Sequence, residues 1–191
     1  MDALALLKDR SSTLPRFMGE PGPSDADLAD MFEAATRVPD HGMVQPWRFV
    51  VLRGEDRKKM GEVFAAALKT RNPEAPEEAV QAELNRAMRA PVVVTVLART
   101  EERPKIPRIE QVVSAGQAAL TLHLAGQAKG YGSVMLTGDN AYDPNVRTFF
   151  GLKEGDEIVA FLYMGTPKGP VPGKNRPDPA AFVEQFGAHA R

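Results

Sequence analysis

Between Arg10 and Arg16, the stretch RSSTLPR places two guanidiniums and three hydroxyls directly after an apolar run, ALALL. A guanidinium offers a planar fork of donors, and serine and threonine add short neutral ones, so this is a donor set suited to a phosphate monoester. The same residues would also serve as a solvated helix end followed by a loop. A second basic pair, Lys174 and Arg176, stands two residues apart in the Pro-rich segment GPVPGKNRPDP. In an extended backbone, side chains at i and i+2 point the same way, so both cations can address one anion. A solvated tail is the competing reading.

Other chemistries lack their residues. The chain has no cysteine, which removes thiolate nucleophiles, disulfides and Cys-based metal sites. His41, His123 and His189 are scattered, without the HxxxH or HExxH spacing of a metal site. No serine sits in GxSxG, and there is no Walker A loop. The glycines of GYGSVMLTG follow a helical segment and precede a strand, the reverse of the order that seats phosphates on a helix N-terminus. A bound cofactor is therefore the main source of difficult chemistry open to this chain. The formal net charge is −1, which provides no electrostatic case for nucleic acid or an anionic membrane. The apolar run in MDALALLKDR is too short for a signal peptide or a span, so a soluble protein of the reducing cytoplasm is expected.

The elements that would position these groups can be read from periodicity. The 191 residues suit a single domain, 1–191. Helices are expected over 2–9, from a Ser24/Asp27 cap to about Arg37, over 55–69, 77–88, 109–130 and PNVRTFFG, and over 180–186 at the end. Strands are expected over 48–53, 91–98, 132–138 and 157–165, the run PVVVTVLA being apolar enough for burial on both faces. VPDHGMVQPW reads as a turn, with Trp47 as a core anchor. The helix 109–130 is apolar nearly all round. It should run through the interior, stop at a left-handed Gly130, and carry more apolar surface than one copy hides. The class is α+β, with helices outnumbering about four strands.

Taken in order, DRSS…RF, RVPDHGMVQPWRFVVL, SAGQAALTLHLAGQAKGYGSVMLTG and IVAFLYMGTP…KNRPDP resemble the nitroreductase family, in its small single-domain NAD(P)H branch. The resemblance covers nearly the whole chain. It implies a central, mainly antiparallel sheet flanked by helices, a homodimer, and FMN bound at the dimer interface. It also implies an oxidoreductase that passes hydride from NADH or NADPH through FMN to nitroaromatics, quinones or similar small acceptors by ping-pong kinetics. Carried onto this sequence, Arg10, Ser11 and Ser12 hold the FMN phosphate, with Lys174 and Arg176 as a further clamp. Ser11 stands where relatives have a second cation, and the Lys174/Arg176 pair compensates for it. Arg16 lies near the pyrimidine side of the flavin, while Arg37 and His41 reach it from the partner subunit. Met43 replaces an Asn of the wider family.

Met135, Leu136 and Thr137 line the isoalloxazine, in a pocket more apolar than the branch's usual Trp-Arg-Ser. A backbone amide of Thr137 or Gly138 faces flavin N5. Ala125, Gly126, Gln127, Ala128, Lys129 and Gly130 align with a nicotinamide-nucleotide segment. No side chain is required as acid or base, and no metal is implied. Two alternatives remain at this stage: a non-catalytic flavin- or anion-binding module, and a same-fold flavin enzyme with dehalogenase or flavin-fragmenting chemistry. A purely structural interaction domain explains neither basic cluster.

Overall fold

The computed structural model describes residues 2–170 and 175–186. Its centre is the long strand β5 (Glu157–Pro167), which pairs with β3 (Val92–Ala98) and with β4 (Gly132–Leu136). β2 (Trp47–Leu52) extends the sheet beyond β3, and β1 (Met18–Gly19) pairs with the end of β5. Every pairing is antiparallel.

Alternation along β3 divides the core in two. Val93 and Leu97 pack with Met60, Phe64, Phe161 and Tyr163, under the pair α3 (Glu55–Arg71) and α4 (Glu77–Arg86). Val92, Val94 and Val96 face Leu28, Met31, Leu122 and Leu162, under α2 (Asp25–Ala35) and α5 (Arg108–Ala128). All seven residues of β3 are buried, Thr95 included, as its β-branched run led one to expect. Ser24 caps α2 by accepting the Asp27 amide at 3.1 Å. Gly130, at φ 87°, occupies the left-handed position that ends α5. α1 (Ala3–Asp9) and α6 (Pro144–Phe149) complete the helices, and Trp47 is buried as a core anchor.

Three expectations need correction. Residues 180–186 do not form a helix. They make one 3-10 turn, Pro179–Phe182, and then continue extended. A helix of about seven residues needs packing to survive, and Phe182, Val183 and Phe186 are exposed here. The sheet has five strands rather than four, because β1 is two residues long and too short to show a period. Finally, α5 is not wholly interior. Ala115, Ala118, Ala119 and Leu122 are buried, but Ile109, Val113 and Leu120 are 66%, 50% and 40% exposed on one copy.

Candidate functional site

α1 ends at Asp9, and the chain from Arg10 onward is extended and crosses the far end of α5. The crossing is close. The Thr13 amide donates to the Ser133 carbonyl at 2.9 Å. A Cβ on Gly132 would lie 2.8 Å from the Thr13 side chain, so only glycine lets the two strands of chain approach this way. Gln127 of α5 accepts the Ser11 amide at 3.3 Å. The outcome is that Arg10, Ser11 and Ser12 are half-buried, and Ser11 lines a cleft of about 280 Å³ together with Asp9, Thr13, His123, Gln127 and Ser133 among others, with Arg10 held beside it through His123.

The second basic loop reaches this point. The Arg176 guanidinium donates to the backbone carbonyl of Arg10. Arg176 is itself exposed, and its partner in the pair, Lys174, lies outside the described residues. Two guanidiniums and two serine residues thus meet at the start of β4. At its other end Met135 is exposed and Leu136 half-buried, and Leu136 makes the last rung with Phe161. Thr137 and Gly138 lie beyond that rung, both exposed, with Gly138 at φ 66° and open space where a Cβ would stand. The four residue steps from Ser133 to Thr137 span about 13 Å. Arg16 is exposed and lies over the Phe17 ring, 4.8 Å from its centroid.

The loop that follows Gly138 is firmly anchored. Asp143 caps α6 and pairs with Arg71 at 2.5 Å, while Asn140 bonds Arg71 at 3.2 Å and Glu83 at 2.7 Å.

Other predicted residues do not join the cluster within one copy. His41 contacts Glu110 at 2.6 Å, at the first turn of α5. Arg10 contacts His123 near the last turns of the same helix. Thirteen residues at 1.5 Å put those contacts about 20 Å apart. Arg37 pairs with Glu33 at 3.0 Å on the exposed side of α2, and Met43 is exposed. In the segment Ala125–Gly130, Lys129 pairs with Asp27 and Asp30, Gln127 holds Ser11, and Gly126 is buried against Met164. These groups therefore already have partners within the subunit.

Sequence reasoning passed over His123 and Ser133 as site residues, and assigned Gln127 only to the nicotinamide-nucleotide segment and Thr13 only to the hydroxyls of the first basic stretch. The available signal was a polar pair at i and i+4, His123 and Gln127, on the side of α5 where Leu122 and Gly126 are buried. His123 is fully buried, its Nδ1 2.6 Å from Ser133 Oγ and its Nε2 3.4 Å from Arg10 Nη1. Burial first, and the Arg10 charge second, hold its pKa down at about 4, against a smaller opposing pull from the Ser11 carbonyl. Among the described residues, no group of three or more His, Asp or Glu side chains is placed to hold a metal ion, and no helix is long and apolar enough to cross a membrane.

Comparison with known proteins agrees with this architecture. The chain is 38% identical over 187 residues to the Escherichia coli (strain K12) protein named "Putative NAD(P)H nitroreductase YdjA", a match covering 97% of this chain and 100% of that one. Among solved structures, a nitroreductase-like family protein from Bacillus cereus superposes with a TM-score of 0.83 at 23% identity, covering 97% of this chain and 96% of that one. NfnB from sphigopyxis sp. strain HMH, described as an FMN and NADPH-dependent nitroreductase, superposes at 0.74 and 20% identity, covering 97% and 99%. The family model itself matches residues 7–166, which span α1 through nearly all of β5 and so include both ends of β4. By sequence and by fold, this chain belongs to the nitroreductase family.

Proposed function

We propose that this chain is an FMN-dependent oxidoreductase that takes reducing equivalents from NADH or NADPH and delivers them to small acceptors such as nitroaromatics or quinones. The observation that carries this reading is the contact of Arg176 with Arg10, beside Ser11 and Ser12, one strand-length from the open backbone at Thr137 and Gly138. The donor set suits a phosphate monoester, and about 13 Å separates it from the exposed backbone at Thr137 and Gly138, where a planar ring could lie. The names of the relatives, NAD(P)H nitroreductases, favour the same chemistry.

When bound, the flavin supplies the two-electron chemistry that none of these side chains can perform. The protein's part is to bind and orient it. Arg10, Ser11, Ser12 and Arg176, with Lys174, hold the phosphate. Met135 and Leu136 form an apolar wall for the ring, and the amides of Thr137 and Gly138 offer donors beyond the last sheet rung. Arg16 supplies the positive charge that favours an anionic reduced ring. His41 and Arg37 belong to the second half of the site, contributed across a homodimer that covers Ile109, Val113 and Leu120 of α5.

One experiment tests the reading. Purified protein should bind FMN, give a yellow flavin spectrum, and bleach under anaerobic NADH or NADPH. Protein that takes up no FMN refutes the reading, and FMN bound but never reduced leaves a flavin-binding module instead.

A further inference from the structure

We propose that His123 is a positioning residue for the flavin phosphate clamp, acting through Arg10: its neutral Nε2 accepts from the guanidinium and aims it toward the cleft mouth. This rests on the FMN reading given above.

A guanidinium only donates. Arg10 Nη1 is directed at His123 Nε2, 3.4 Å away, so that nitrogen must carry a lone pair. The ring proton is then on Nδ1, which donates to Ser133 Oγ at 2.6 Å. Ser133 is buried in β4, and its backbone carbonyl also accepts the Thr13 amide, so one residue registers both the histidine and the loop. Gln127, one turn beyond His123, holds the Ser11 amide from the same face of α5. The phosphate-binding segment is thus fixed at residues 10, 11 and 13 by a polar cluster with no part in the redox chemistry. In that cluster His123 is the residue that grips the Arg10 guanidinium itself rather than the backbone of the segment.

A neutral imidazole is what makes this work. An imidazolium would present N–H to N–H against Arg10 and would turn to the Ser11 carbonyl instead. The charged and titratable groups facing the ring from the surrounding elements are few. Arg10 and Asp9 come from the end of α1, Tyr131 from the turn after α5, and Arg176 from the C-terminal loop above Arg10. Asp9 already bonds Gln127, at 3.4 Å, and Tyr131 donates to Asp27 at 2.8 Å, so Arg10 is the group bonded to Nε2.

The test uses full-length protein freed of flavin, titrated with FMN and followed by quenching of flavin fluorescence. His123→Leu keeps the bulk and removes the acceptor, while His123→Gln can place an amide oxygen near the Nε2 position. The Leu variant should bind FMN about tenfold more weakly, the order expected for losing one hydrogen bond to a charged group. The Gln variant should recover most of that loss. In an Arg10→Ala background, His123→Leu should cost nothing further. As pH falls from 5 through about 4, where the buried His123 ring takes up its proton, wild-type protein should lose FMN affinity more steeply than His123→Gln, which shares every other titrating group, including the phosphate.

Equal weakening in the Leu and Gln variants, at matched melting temperatures, means the ring only fills space and overturns the proposal. Unchanged affinity in the Leu variant, or a full additive loss on top of Arg10→Ala, overturns it too. Wild-type protein that binds no FMN refutes the functional reading and this inference with it. Wild-type protein that binds FMN while His123→Leu binds it equally well refutes the inference alone.

Discussion

Removing Arg10 should weaken FMN far more than riboflavin, because its proposed partner is the phosphate and riboflavin has none. Arg10 is half-buried and already oriented by His123 and by the closely packed segment around Thr13, so little freedom is lost when it binds. A charge-assisted hydrogen bond in such a setting contributes about 1.5–3 kcal/mol, so Arg10→Ala should raise the Kd for FMN roughly 10- to 150-fold. Arg176 is exposed and screened, and its own contact is to the Arg10 carbonyl. Its removal alone should cost only about twofold to fivefold. The double variant should fall short of the product of the two, because Arg176 acts partly by steadying Arg10. Fluorescence titrations of FMN and riboflavin, at low and high salt, give all of these numbers. The FMN loss should shrink as salt rises, while riboflavin should be indifferent to both the substitution and the salt. Equal weakening of the two ligands, or no weakening of FMN, would show that the guanidinium does not meet the phosphate.

Other outcomes follow from the same packing. Asp143→Ala strips the cap of α6 and leaves Arg71 without its buried partner, so the melting temperature should fall by about 6–12 °C, corresponding to ~3 kcal/mol. Gly132→Ala drives a Cβ into Thr13; it should cost about 1–3 kcal/mol and also loosen FMN, measured side by side by thermal melts and titration. His123 has a folded pKa of about 4 against an ordinary 6.5, so the unfolded chain binds the proton more readily. Stability should therefore rise with pH across roughly 4 to 6.5 and be lost on acidification through that window, by about 2–3 kcal/mol, with His123→Gln lacking this component in urea unfolding at pH 7 and 4.5. Val113→Asp, on the exposed face of α5, should shift the protein toward monomer in sedimentation velocity, and an unperturbed dimer would place the interface elsewhere.

Local signals were readable where one residue type has one use. The apolar run of β3 meant burial on both faces, Ser24 and Asp27 marked a helix start, and Gly130 marked a helix stop. What depended on partners distant in sequence was not readable. The two residues of β1 exist as a strand only because β5 runs past them. The tail at 180–186 has apolar spacing, but its Phe182, Val183 and Phe186 side chains stay exposed. The two basic clusters were visible as clusters, but no local pattern joins Arg10 to Arg176 across 166 positions; only the family resemblance put both on one phosphate. His123 was hardest of all. Among the alanines and leucines of α5 it looks like a stray polar residue, and its meaning comes from Ser133 and Arg10, which only the fold brings to it.

α5 also bears on how the proposed site would be completed by a second copy. The helix holds the Arg10 cluster near its last turns and the His41–Glu110 contact at its first, about 20 Å away. No single flavin reaches both ends within one subunit. Between them the outward side of the helix exposes Ile109, Val113 and Leu120, while the inward side is fully packed against the sheet. If two copies pair through that outward face with their helices antiparallel, the first turn of one helix lies beside the last turns of the other. His41 of one copy then approaches the Arg10 cluster of its partner without any loop moving. On this geometry, covering an apolar helix face and completing a cofactor site are a single event, so dilution to monomer should release flavin along with the partner subunit.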